Sequence, residues 1–163
     1  MNLHKSVFTA AFFTFLAGTA VLAQTPAPKQ EKPKFDAELA KKLGGDKNGM
    51  KMYVIAFLKT GPKDIPAGKE RTELFQGHLA NINRLADEGK LAVAGPFEKN
   101  DAGFRGIFIL NVESIEEARK LVETDPVVKA GLMIVELYKW YGSASLMATP
   151  EIHKKIEDPK ASN

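Results

Sequence analysis

Residues 71–97, RTELFQGHLANINRLADEGKLAVAGPF, decide the fold. Leu74, His78, Ile82, Leu85 and Ala86 recur at spacings of four, four, three and one, which puts them on one face of a helix. The helix is expected over Lys69–Glu88, with Gly89 as its C-terminal cap. Leu91–Ala94 reads as a short apolar strand, which Gly95-Pro96 terminates. His78 falls on the core-facing side, where imidazoles are uncommon. It is the titratable group placed where chemistry is easiest to build.

Upstream, Met52–Lys59 (MYVIAFLK) is apolar in both of its alternating sets, and Thr60-Gly61-Pro62 ends it. Downstream, Asn100, Asp101 and Gly103 supply turn chemistry for a hairpin into Gly106–Val112 (GIFILNV). Ser114-Ile115-Glu116-Glu117 has the spacing of a capping box and opens a second helix through Glu123. Leu132–Trp140 (LMIVELYKW) is the fourth strand. The order β-α-β-β-α-β predicts an α+β, ferredoxin-like sandwich. Two helices cover one face of such a sheet, yet strands one, three and four are apolar on both faces. The second face must be buried. A homodimer packed sheet to sheet does this; in a monomer, residues 35–45 and the C-terminal tail would have to cover it.

The flanks read differently. Residues 1–23 have a positive start, an apolar run from Val7 to Leu22 and the small-residue site Val21-Leu22-Ala23, as in a secretory signal peptide cleaved before Gln24. The run is shorter than the roughly 20 residues of a spanning helix and leads into Pro26 and Pro28, so no stable membrane span is expected after cleavage. The expected location is periplasmic or secreted. Residues 24–49 comprise a Pro/Lys-rich arm and a short helix, Phe35–Gly45, with Asp36 as a candidate N-cap. The domain proper is placed at 50–142, followed by a polar, mobile C-terminal tail at 143–163 in which His153 carries no weight.

Composition narrows the function classes. Cleavage removes Lys5 and leaves 22 of the 23 basic residues against 20 acidic ones. That near balance, without a basic stripe and interleaved aromatics, argues against nucleic-acid binding. There is no cysteine, hence no disulfide. No Cys/His cluster or carboxylate group has metal-ligand spacing, and phosphate-binding loops and a serine elbow are absent from the sequence, so no metal or cofactor is expected.

Topology assembles the candidate site. The first helix starts, strand two ends and the second helix finishes at one end of the sheet, which gathers Thr60-Gly61-Pro62, Arg71, Gly95-Pro96 and Asp125-Pro126 there. His78 lies about two turns along its helix, roughly 10 Å at 1.5 Å per residue, within reach of Asp125. A carboxylate bonded to an imidazole fixes its tautomer and stabilises the imidazolium, making a general acid or base. Asp125 equally begins a short capped turn, Asp125-Pro126 to Gly131. His78 can also be read as a satisfied core histidine, and Arg71 and Arg105 as either anion-holding or surface charges.

The helical His, then Gly89-Lys90-Leu91-Ala92-Val93-Ala94-Gly95-Pro96, Gly106-Ile107-Phe108, Glu116-Glu117-Ala118 and Thr124-Asp125-Pro126 resemble the YCII-related (YciI-like) family over roughly Met52–Gly142. The resemblance implies a dimeric α/β barrel and a His–Asp active centre at His78 and Asp125. It also implies small-molecule chemistry of the lyase or isomerase type, since one branch eliminates chloride from a chlorinated hydroxyhydroquinone. The leading expectation is an exported enzyme in which His78 shuttles a proton, Asp125 orients it, and Arg71, Gly95, Pro96 and Arg105 receive a small cyclic or aromatic acid, ketone or phenol. The alternative is a non-catalytic envelope protein that binds a ligand or plays a structural role.

Overall fold

A computed structural model of the chain describes residues 34–158. The expected signal peptide and nearly all of the Pro/Lys-rich arm lie outside them. The elements run α1 (Ala37–Leu43), β1 (Met50–Thr60), α2 (Lys69–Asp87), β2 (Leu91–Pro96), β3 (Phe104–Leu110), α3 (Ile115–Val122), α4 (Pro126–Lys129), β4 (Met133–Ser143), a 3-10 turn (Ala144–Ala148) and α5 (Thr149–Ile156). The sheet order is β2-β3-β1-β4 with every neighbouring pair antiparallel, the ferredoxin-like arrangement.

Local chemistry sets the boundaries. Asp36 caps α1, accepting from Leu39 N at 2.9 Å, and Gly44 ends it in the left-handed region at φ 71°. Ser114 Oγ accepts from Glu117 N at 3.0 Å and starts α3. Asn100 closes the β2–β3 hairpin, accepting from Phe104 N and donating to the Phe104 carbonyl. Gly95 and Pro96 were expected beyond β2, but they are its last two ladder residues, paired with Ile107 and Gly106. β2 is an edge strand, where a residue without an N–H is tolerated.

The core lies between the sheet and α2 and α3. Val54, Ala56 and Leu58 of β1, Phe108 and Leu110 of β3, Leu85 of α2 and Ala118 and Val122 of α3 are buried there. The opposite face carries Ile55, Phe57, Ile107, Ile109, Ile134, Tyr138 and Trp140, as the registers require. Of these Ile134 and Tyr138 are 46% and 53% exposed, and a Lys59–Glu136 ion pair at 3.0 Å lies among them.

The polar tail is a correction. Ala144–Ala148 forms a 3-10 turn against α1, with Ala144 buried, and Thr149–Ile156 is a helix. Neither has an apolar periodicity strong enough to read from sequence. Ala144 N donates to Gly49 O at 2.9 Å, and α5 makes ion pairs from Glu151 to Lys42 and from Lys154 to Asp87. Nearby, Tyr141 Oη donates to the Asp46 carboxylate, which holds Asp46 below the usual carboxylate range and pushes the Tyr141 phenol up. Burial pushes the Tyr53 phenol up, and its hydroxyl donates to Ser143 O at 3.0 Å.

Candidate functional site

His78 and Asp125 meet. Nδ1 of His78 lies 2.7 Å from Asp125 Oδ2. The carboxylate is fully buried, and the His78 side chain is 13% exposed. Asp125 also caps α4, its other oxygen accepting from Val127 N at 3.1 Å. Asp125 thus contacts His78 through one oxygen and caps α4 through the other. A carboxylate can only accept, so this contact places the imidazole proton on Nδ1 and leaves the Nε2 lone pair for another partner. Phe108 stacks on the imidazole (centroids 6.0 Å, planes 22° apart), and Phe75 meets it edge-on at 6.2 Å.

Two features the sequence did not single out hold the pair together. Gly77, immediately before His78, faces α4: a Cβ there would stand 2.9 Å from Pro126 Cγ. A glycine inside a helix ordinarily costs about 1 kcal/mol relative to alanine, and here it lets the two helices approach closely. One turn further on, Asn81 Oδ1 accepts from Thr124 Oγ1 at 2.9 Å and from Arg84 Nη2 at 2.8 Å, while Arg84 also pairs with Glu88. This lattice ties α2 to the residue that precedes Asp125. The only sequence signal for it is that Asn81 is a buried polar residue on an otherwise apolar stripe. Its Nδ2 has no partner among the described residues.

His78 forms part of the wall of a half-open cleft of about 620 Å³ between α2 and the β2–β3 edge. Leu58, Phe75, Leu79, Ile82, Phe97, Phe108 and Met133 make it largely apolar, and Asn83, Arg105, His153 and Glu157 supply polar groups. Gly95, Pro96 and Arg105 line it. Arg71 does not. Its guanidinium donates to Ile65 O at 2.8 Å and lies over the Phe75 ring at 5.3 Å, strapping the β1–α2 loop to the helix. His153, dismissed from sequence as a tail residue, faces the same cleft as His78. Among the described residues no group of three or more His, Asp or Glu is arranged to hold a metal ion.

Fold and cleft together define a small ferredoxin-like α+β domain with a largely apolar cleft bordered by an imidazole that is paired with a buried carboxylate. The chain belongs to the family of the YCII-related domain, whose profile matches residues 52–141. It is 38% identical over 71 residues to protein YciI of Escherichia coli O6:H1, covering 39% of this chain and 72% of that one. It is 31% identical over 75 residues to the protein YjpA of Bacillus subtilis, covering 43% and 85% respectively. Among solved structures, it is similar to the 5-chloro-2-hydroxyhydroquinone dehydrochlorinase of Burkholderia phenoliruptrix AC1100 in complex with 2,5-dihydroxybenzoquinone. That match has 28% identity over 55% of this chain and 93% of the other, with a TM-score of 0.39.

Proposed function

We propose that the protein is an enzyme of the lyase or isomerase type that moves a proton on a small cyclic or aromatic acid, ketone or phenol. His78 Nε2 takes the proton from an acidic C–H or O–H of the bound ring, Asp125 stabilises the imidazolium that results, and the same nitrogen returns the proton to another atom of the substrate or to water. The observation that carries this reading is the 2.7 Å contact between a buried carboxylate and an imidazole that borders an apolar cleft. Such a pair can act as a general base, a role worth about 10²–10⁴ in rate. Apolar walls suit a ring, and Arg105 supplies a cation for an acidic substituent.

The test is solvent exchange. A panel of small cyclic ketones, phenols and aromatic acids is incubated in D₂O with the protein and with His78→Gln, and carbon-bound protons are followed by ¹H NMR. Exchange or isomerisation by the wild type that falls at least about 100-fold in the variant is expected. Equal rates for the two proteins, or no turnover across the panel, would leave the non-catalytic ligand-binding reading in its place.

The chain is also proposed to be exported and to form a homodimer through the open sheet face. The sequence of residues 1–23 motivates the first part and the exposed Ile134, Tyr138 and Trp140 the second. Among the described residues no helix is long and apolar enough to cross a membrane. Native mass spectrometry of protein recovered from the cell envelope should find two copies of a chain beginning at Gln24. A single chain beginning at Met1 would contradict both parts.

A further inference from the structure

Helix α5 lies beyond the residues 52–141 that the family profile matches. It is tied down at two points. Glu151 pairs with Lys42 of α1 at 3.6 Å, and Lys154 pairs at 2.5 Å with Asp87, in the last turn of the helix that carries His78. Held this way, α5 buries none of its residues, and Ile152 and Ile156 are 54% and 75% exposed. His153 and Glu157, four apart and so on one side of the end of α5, line the His78 cleft. A surface helix ordinarily lays its apolar stripe on the domain and keeps its polar groups in water. α5 follows this in part: Ile152 lines a hollow with Leu39 and Leu43 of α1, while the adjacent side of the helix presents His153 and Glu157, their side chains 65% and 46% exposed, to the His78 cleft. The consequence is to bring an imidazole and a carboxylate to the rim of a cleft whose walls are otherwise largely apolar.

We propose that His153 is a ligand-contacting residue, and that with Glu157 it recognises a hydroxyl group on the ring edge turned toward α5. This rests on the reading of the His78 cleft as a substrate site and extends it to a segment outside the family's domain. His153 Nε2 and Glu157 Oε2 are 3.9 Å apart, so one ligand oxygen can bridge them. The imidazole donates or accepts and the carboxylate accepts, a combination that suits a hydroxyl better than a bare carboxylate. Arg105, in the same cleft, is the group that suits the carboxylate. The C-terminal helix thereby sets which ring substituents are accepted, while His78 and Asp125 are left to act on the reacting atom.

The experiment titrates salicylate, at once an aromatic acid and a phenol, into the full mature chain while the ring resonances of His78 and His153 are followed by NMR. The same titration is made on His153→Ala and His153→Gln. Salicylate is expected to move both histidines. His153→Ala should weaken binding roughly five- to tenfold, the scale of one neutral hydrogen bond, and His153→Gln should recover part of the loss. If salicylate moves His78 alone and His153→Ala binds it as the wild type does, the role of His153 is overturned while the cleft stands as a site. If neither histidine moves, the cleft reading fails and the role of His153 with it.

Discussion

Asp125→Asn should abolish proton transfer while leaving the domain folded. The amide keeps an oxygen where Val127 N needs an acceptor, so the cap at 3.1 Å survives. Its NH₂ group then faces His78 Nδ1, where the carboxylate oxygen stood at 2.7 Å. An NH₂ can only donate, so Nδ1 must become the acceptor and the ring proton moves to Nε2. The nitrogen that faces the substrate loses its lone pair, and the imidazolium loses its counter-charge. A triad histidine forced into the wrong tautomer in this manner loses on the order of 10⁴ in rate, and a fall of about 10³–10⁴ is expected here. The stability change should stay near 1–2 kcal/mol, since one charge-assisted hydrogen bond is exchanged for a neutral one. Long-range ¹⁵N–¹H spectra read the tautomer directly: protonated Nδ1 in the wild type, protonated Nε2 in the variant. A variant that keeps its Nδ1 proton, or keeps its rate, would show that Asp125 is a helix cap and nothing more.

The legible part of this site is the part written in local spacing. The recurrence from Leu74 to Ala86 places His78 on an inward face, Ser114 and Glu117 start the next helix, and Asp125-Pro126 announces a cap. Together with the strand order, these are sufficient to bring the imidazole and the carboxylate to the same region. What stayed hidden depends on contacts between distant segments. Arg71 reads as a free cation because nothing local reveals that the Ile65 carbonyl takes it. Gly95-Pro96 reads as a terminator because a strand's position at the sheet edge, which admits proline, is a property of the whole topology. Helix α5 is the largest omission. Its apolar repeat is the single pair Ile152 and Ile156, and its contacts reach distant segments, as where Lys154 meets Asp87 across 67 positions of sequence. With α5 taken for a mobile tail, His153 could not be placed beside His78.

Gly61→Ala should be among the most damaging single substitutions in the domain, although it adds one methyl group. Gly61 follows β1, where its N–H donates to Leu132 O at 2.8 Å, and Lys63 N donates to Gly131 O at 3.1 Å. These two bonds strap the β1–α2 loop to the junction between α4 and β4. A Cβ on Gly61 would lie 2.2 Å from the Gly131 carbonyl oxygen and 2.8 Å from the Leu132 carbonyl carbon. Both neighbours are backbone, so no side-chain rotation relieves the overlap; the strands must separate or the straps must break. Overpacking in a rigid setting costs about 1–3 kcal/mol. With the loss of one or both straps at about 1 kcal/mol each, a total of about 2–5 kcal/mol is expected, which at this size lowers Tm by roughly 6–20 °C. Gly95→Ala is the control, because a Cβ there meets nothing within 4 Å, and a change of about 0.5 kcal/mol or less is expected. The damage should not stop at stability. Displacing Gly131 pulls on α4, whose first turn carries the Asp125 cap and whose Val127 is fully buried. The bond to His78 should therefore weaken in the molecules that remain folded, visible as faster solvent exchange of the Nδ1 proton. A Gly61→Ala protein within 1 kcal/mol of wild type would mean that the loop moves aside freely and that α4 is positioned from the α2 side alone, by Gly77 and the Asn81–Thr124 contact.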